Sequence, residues 1–210
     1  MNTRSLLIRG AAGLAGGVLL LGVAGTAVAA EDPTSYGSDD VDVNVDIAEL
    51  PGTGALSMTV AGTSTVLTES GSDNVRRQFT GKLPTVTVTD TRDAADIPDD
   101  AGWYVLGTAS PFTSPDSTSV IGPENLGWTP ALVEGGESGL VAAGDQVDTA
   151  IDGGVNGVGL QGEELLALAI DSQDINAEGT WSADADLFLR TPVNVDAGAY
   201  SSTVTLSLFE

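Results

Sequence analysis

Residues 180–189 read TWSADADLFL, and their spacing decides the fold class. Trp181, Ala183, Ala185, Leu187 and Leu189 share one parity, while Asp184 and Asp186 share the other. Successive side chains of a strand point to opposite faces, so this period of two predicts an extended segment with one dry and one wet face. Residues 83–91 (LPTVTVTDT) alternate Thr with Val and are β-branched almost throughout, which favours pleated backbone. Val41, Val43, Val45 and Ile47 alternate with Asp42, Asn44 and Asp46 in the same way and predict a further half-buried strand.

Working outward, residues 55–60, 63–67, 75–80, 103–108, 126–133 and 200–209 read as strands. Turns are expected at Pro51-Gly52, Ala61-Gly62 and Gly71–Asn74. Pro130 assigns its strand to an edge or a bulge, because proline donates no ladder hydrogen bond. Residues 92–101 are a polar loop with one helical turn at most, and 110–119 a loop rich in Ser, Thr and Pro. Residues 135–159 carry Gly and Asp without a clear element, and 160–172 fit either a strand or a short helix. No internal repeat stands out. Short alternating strands with turns between them predict an all-β, antiparallel β-sandwich of Greek-key or Ig-like type.

The first thirty residues are read apart from that fold. Arg4 and Arg9 precede an apolar run from Gly10 to Val28, which closes on Ala27-Val28-Ala29-Ala30. This is the pattern of a secretory signal peptide cut after Ala29 or Ala30; the rival reading is a retained membrane anchor. The expected organisation is a signal peptide (1–30), a flexible tether (31–39) and one sandwich domain (40–210). After Ala30 no apolar stretch nears the roughly 20 residues of a membrane span. Residues 83–87 superficially resemble a sortase signal but lack its Gly and a following hydrophobic tail, so covalent wall anchoring is unsupported.

Charge narrows the partners. The chain has 7 Lys+Arg against 30 Asp+Glu. With Arg4 and Arg9 removed, only Arg76, Arg77, Lys82, Arg92 and Arg190 face those carboxylates. Such a surface repels nucleic acid and anionic lipid at long range, so neither is an expected partner. There is no cysteine and no histidine. An exported domain without disulfides depends on its core alone, and Cys nucleophiles and Ser-His-Asp triads are excluded.

Four groups of residues invite chemistry. Asp40–Asp46 suggests a calcium loop, but an EF-hand starting at Asp40 would need Gly and Glu where Val45 and Pro51 stand. Calcium is better sought at Asp145, Asp148 and Asp152 in the Gly-rich region, with Asp171 and Asp174 as further candidates, because mobile carbonyls there can complete its shell. Asp184 and Asp186 are a conceivable glycosidic carboxylate pair, though exposed acids on a strand face explain them more simply. Trp103, Trp128 and Trp181 are the only tryptophans. Each suits a core, yet Trp103 and Trp128 are also candidates for stacking on sugars, Trp128 above all, beside Pro130.

Gly102-Trp103-Tyr104-Val105, followed by Ser110-Pro111-Phe112, resembles the first motif of the WxL-type cell-surface proteins of Gram-positive bacteria, with Val105 in place of Leu. Residues 193–208 are similar to the second, with Leu206 replacing the Trp and Leu208 keeping the Leu. Residues 81–92 and 126–130 also resemble a WxL-like subgroup of small secreted proteins, and the likeness covers about residues 75–210. It implies a β-rich domain in non-covalent association with peptidoglycan or other surface proteins, with Trp103, Trp128 and Tyr200 as binding residues. The expectation is therefore a secreted, wall-associated, non-catalytic binding or structural module. A calcium-dependent adhesion subunit and a carboxylate-based carbohydrate-active enzyme are the alternatives. No cofactor other than calcium is expected.

Overall fold

The computed structural model describes residues 54–210. The signal segment, the tether, the strand read at 41–47 and the turn at Pro51-Gly52 lie outside the described residues. The strands are β1 (Leu56–Val60), β2 (Thr68–Glu69), β3 (Arg76–Lys82), β4 (Val86–Asp90), β5 (Trp103–Ala109), β6 (Phe112–Ser114), β7 (Ser117–Ile121), β8 (Leu126–Glu134), β9 (Val141–Ala143), β10 (Glu164–Ala169), β11 (Thr180–Pro192) and β12 (Val204–Phe209). Among the described residues the only helical elements are 3₁₀ turns at 94–96, 123–125 and 159–161, and no helix is long and apolar enough to cross a membrane. The protein is all-β and antiparallel, as its alternating segments predict.

β11, the segment quoted first, is the spine of the larger sheet. One of its edges pairs with β8. The other pairs with β4 along Thr180–Ala183 and with β3 along Asp186–Pro192. β3 and β4 thus run end to end, with Leu83–Thr85 bulging opposite Asp184 and Ala185, where the Leu83 N–H donates to the Ala185 carbonyl at 2.8 Å. The bulge bends the pair and the sheet forks, with β1 on the outer edge of β4 and β2 on that of β3. The second sheet runs β12-β5-β10-β9, and β6 and β7 form a separate hairpin.

The dry parity of β11 faces the second sheet. Trp181 lies 5.5 Å from Trp103 of β5, centroid to centroid. Trp128 of β8 fills the space left by Gly107 of β5, where an added Cβ would stand 2.5 Å from the indole. One long side of the sandwich is closed because Trp128 and Val147 exchange backbone hydrogen bonds beside β9, so the larger sheet curls towards a half-barrel. On the other side β1 and β12 are edges with no second strand partner among the described residues.

Several segments differ from their sequence reading. Residues 63–67 form a crossing loop, not a strand: the Val66 carbonyl and the Leu67 side chain pass over Gly81 of β3, close enough to clash with any Cβ there. Residues 110–119 hold the β6–β7 hairpin rather than a loop, with Phe112 opposite Ile121 and both buried. The ambiguous 160–172 resolves as strand β10, held on both edges by β5 and β9. Pro130 sits on β8, an edge of the larger sheet, as its missing N–H requires.

Candidate functional site

The predicted aromatic residues separate. Trp103 and Trp128 are 1% and 0% exposed, so neither indole offers a face to a ligand, which corrects their assignment as stacking residues. The reason is packing: Gly107 leaves room that the Trp128 ring fills, and Trp103 lies against Trp181 in the core. The N–H groups of Trp103 and Trp128 have no hydrogen-bond acceptor among the described residues, whereas that of Trp181 donates to Glu178 at 2.6 Å. Tyr200 instead lines a cleft, its hydroxyl donating to the Asp196 carbonyl at 3.1 Å.

The candidate calcium residues do not converge either. Asp145 is exposed, and Asp148 accepts from the Gln146 amide at 2.6 Å. Asp152 receives Arg76 at 2.8 Å, the Thr149 hydroxyl at 2.7 Å and the Arg190 guanidinium, which itself lies over the Phe188 ring. Burial pushes the Asp152 carboxyl up, but the Thr149 hydroxyl and Arg190 outweigh it and hold it below the usual carboxylate range. Two guanidiniums occupy the oxygens that calcium would need, and this corrects the ligand assignment of Asp152. Among the described residues no group of three or more acidic side chains is gathered for an ion.

Asp184 and Asp186 share Lys82, at 3.0 and 3.8 Å. Asp186 is exposed as expected, but Asp184 is buried beneath the lysine that pairs with it. The remaining cations among the described residues are paired too. Arg77 meets Glu69 at 2.9 Å, and Arg92 bridges Asp90 and Glu210, each at 2.7 Å. The Asp90 carboxyl, pushed up by burial, is brought below its usual range by the Arg92 guanidinium. The last bridge ties the end of β12 to the end of β4.

Two surfaces remain that ion pairs do not explain. The first is the cleft of about 890 Å³ between the two sheets on their open side. Leu187, Leu189, Phe79 and Leu206 are part of its apolar lining, Met58 and Val60 of β1 and Val204 of β12 flank it, and Thr63–Thr65 and Ser201–Thr203 form a hydroxyl rim. The second is the outer face of the four-stranded sheet. Register sets Phe209 beside Tyr104, Leu168 and Ala142, and Ser207 beside Leu106 and Leu165, with Thr205 beside Thr108. None of these residues is charged. Tyr104 and Phe209 are 39% and 38% exposed, and their rings stack at 5.3 Å.

The chain matches no protein-family model, no curated protein and no solved structure. Sequence reasoning passed over Tyr104 and Phe209 as a pair. Each lies within a segment read as strand, but only the pairing of β5 with β12 brings the two rings together.

Proposed function

We propose that this protein is an exported, non-catalytic binding module that associates with the cell surface by holding uncharged wall glycan on the outer face of the β12-β5-β10-β9 sheet. The carrying observation is the uncharged face around Tyr104 and Phe209, in a chain with 30 acidic residues. A continuous exposed apolar patch on a soluble surface marks an interaction site. Stacked rings bind the C–H face of a pyranose, while Ser207, Thr205 and Thr108 supply hydroxyls for its polar edge. The surrounding carboxylates turn away anionic polymers at long range and leave a neutral sugar unaffected. The signal-peptide pattern and the likeness to WxL-type proteins support the same setting.

Sedimentation with insoluble cell-wall glycan, stripped of its anionic polymers, tests the proposal. The mature protein is expected in the pellet, and the Tyr104→Ala/Phe209→Ala variant in the supernatant with an unchanged circular-dichroism spectrum. Recovery of the unmodified protein in the supernatant, or equal retention of the folded double variant, refutes it.

A further inference from the structure

Two dipeptides in the loop after Thr149 share one chemical weakness. Asp152-Gly153 and Asn156-Gly157 are the only Asp-Gly and Asn-Gly pairs of the chain. In such pairs the glycine nitrogen, with no Cβ beside it, closes on the preceding side-chain carbonyl to form a five-membered imide. Closure requires that carbonyl carbon to swing onto the nitrogen, so a clamped side chain is protected and a free one is not. The structure holds the two pairs differently. One Asp152 oxygen accepts from Arg76 at 2.8 Å; the other accepts from the Thr149 hydroxyl at 2.7 Å, the Thr149 N–H at 3.2 Å and the Arg190 guanidinium. Turning the carboxylate towards Gly153 breaks these bonds. Asn156 is exposed, beside Val155 at 96% exposure, and open space surrounds Gly153 and Gly154. Its backbone carbonyl accepts from the Asp148 N–H at 2.9 Å, but the Gly157 N–H reaches the Gly154 carbonyl only at 3.3 Å. The attacking nitrogen is weakly held, and the side chain that it attacks stands in water.

We propose that Asn156 is a site of spontaneous deamidation whose conversion unpins the loop from Asp148 to Gly157, while the arginine clamp keeps Asp152 intact. The Gly157 nitrogen gives its proton to solvent and attacks the Asn156 side-chain carbonyl carbon. A carbon–nitrogen bond forms, the bond to the side-chain nitrogen breaks, and ammonia leaves. Water then opens the imide at either carbonyl. Cleavage on the side-chain carbonyl gives aspartate, and cleavage on the former backbone carbonyl gives isoaspartate. The sum is one water consumed and one ammonia released. Either product adds a negative charge to a chain that already holds 30 acidic residues. Isoaspartate also lengthens the main chain by one atom at the residue whose carbonyl holds the Asp148 N–H, next to the Asp148–Gly157 bridge. Both contacts are lost with the register. Asp152 resists because its arginines belong to β3 and β11, which fix that part of the loop to the larger sheet.

The test incubates the full mature chain at neutral pH, in buffer and in guanidinium, and maps it by mass spectrometry after cleavage at glutamate. The fragment Ser138–Glu163 carries both pairs. In buffer Asn156 is expected to gain about 1 Da, with isoaspartate recognised by its fragment ions and ammonia released in step. In the converted chain, amide exchange at Asp148 should speed up about tenfold, because its acceptor is gone. Asp152 should isomerise at least about tenfold more slowly in the folded chain than in guanidinium, since the clamp must open first. Asn156→Gln should stop ammonia release at this position, because the larger ring closes slowly. Arg76→Gln, with an unchanged circular-dichroism spectrum, should speed isomerisation of Asp152 and leave Asn156 as it was. Asn125, whose amide donates to the Gly122 carbonyl at 3.2 Å, is the internal control. Four outcomes overturn the proposal. They are an Asn156 as inert as Asn125 while a capped Val-Asn-Gly-Val peptide converts, undiminished ammonia release from Asn156→Gln, unaltered exchange at Asp148 in the converted chain, and equal isomerisation of Asp152 in buffer and in guanidinium.

Discussion

The two long sides of this sandwich solve the same problem in opposite ways. On the side of β8, Trp103 and Trp181 pack 5.5 Å apart, Trp128 seats on Gly107, and the cavity beside the Trp103–Trp181 pair is only about 10 Å³. Where β12 faces β1, leucines and valines of similar hydropathy surround a cleft of about 890 Å³. Composition does not separate the two, since both are apolar. Closure does. On one side a backbone exchange between Trp128 and Val147 draws the sheets together, while on the other neither edge has a partner among the described residues. Apolar surface becomes core where the ladder continues past it and remains a candidate interface where the ladder stops.

Substitutions can break or sharpen that contrast. The largest effect is expected from Trp103→Ala, which removes a ring 1% exposed and should cost about 3–5 kcal/mol in chemical denaturation. Trp103→Phe should cost clearly less, because it also removes an N–H with no acceptor. Gly107→Ala comes next on the closed side. Its Cβ would press on the Trp128 ring, and overpacking of that kind costs about 1–3 kcal/mol. Leu206→Ala, on the half-open seam, should cost only about 1 kcal/mol, since the leucine never leaves water completely. A seam variant as damaging as Trp103→Ala would erase the distinction between the two sides.

Acid provides a milder probe. The folded-state pKa values of Asp90 and Asp152 lie below the unfolded carboxylate value, so the unfolded chain takes up protons first as pH falls. Their stabilisation is complete above about pH 5 and drains away as pH drops through the unfolded value near 3.9 towards the lower folded values. Asp152→Asn should flatten that acid limb in a urea series and cost about 1–2 kcal/mol at neutral pH, discounted for the partial exposure of its arginine partners. An unchanged acid limb would show that the Arg76–Asp152–Arg190 cluster contributes nothing to folding.

Much of the architecture was legible in the residues. Alternation at 180–189 and 83–91 placed β11 and β4 on the correct face, and Pro130 narrowed β8 to an edge or a bulge, of which the structure shows the edge. Residues 160–172 were not legible, because β10 carries Leu165 and Leu168 on its outer face as well as Leu166, Ala167 and Ala169 inside, so it shows no polar parity and looks like any short apolar run. Thr63–Leu67 misled for a different reason. It has strand composition, but Gly81 lets it cross β3 where a side chain would have kept it away. The candidate site was legible only in part. Tyr200 reached the cleft, while Trp103 and Trp128 went inside and Asp152 went to two arginines.

From the one-dimensional pattern alone came the pleated, antiparallel class, the acidic exterior and the absence of cysteine and histidine chemistry. Periodicity and composition are local properties, and a strand reports its wet and dry faces whatever it packs against. Register, closure and edge status belong to pairs of segments far apart in the chain. Only the folded structure could stack Phe209 on Tyr104, close one side of the sandwich with tryptophan and leave the other with apolar residues beside edges that no described strand pairs, because each depends on which strand becomes the neighbour of which.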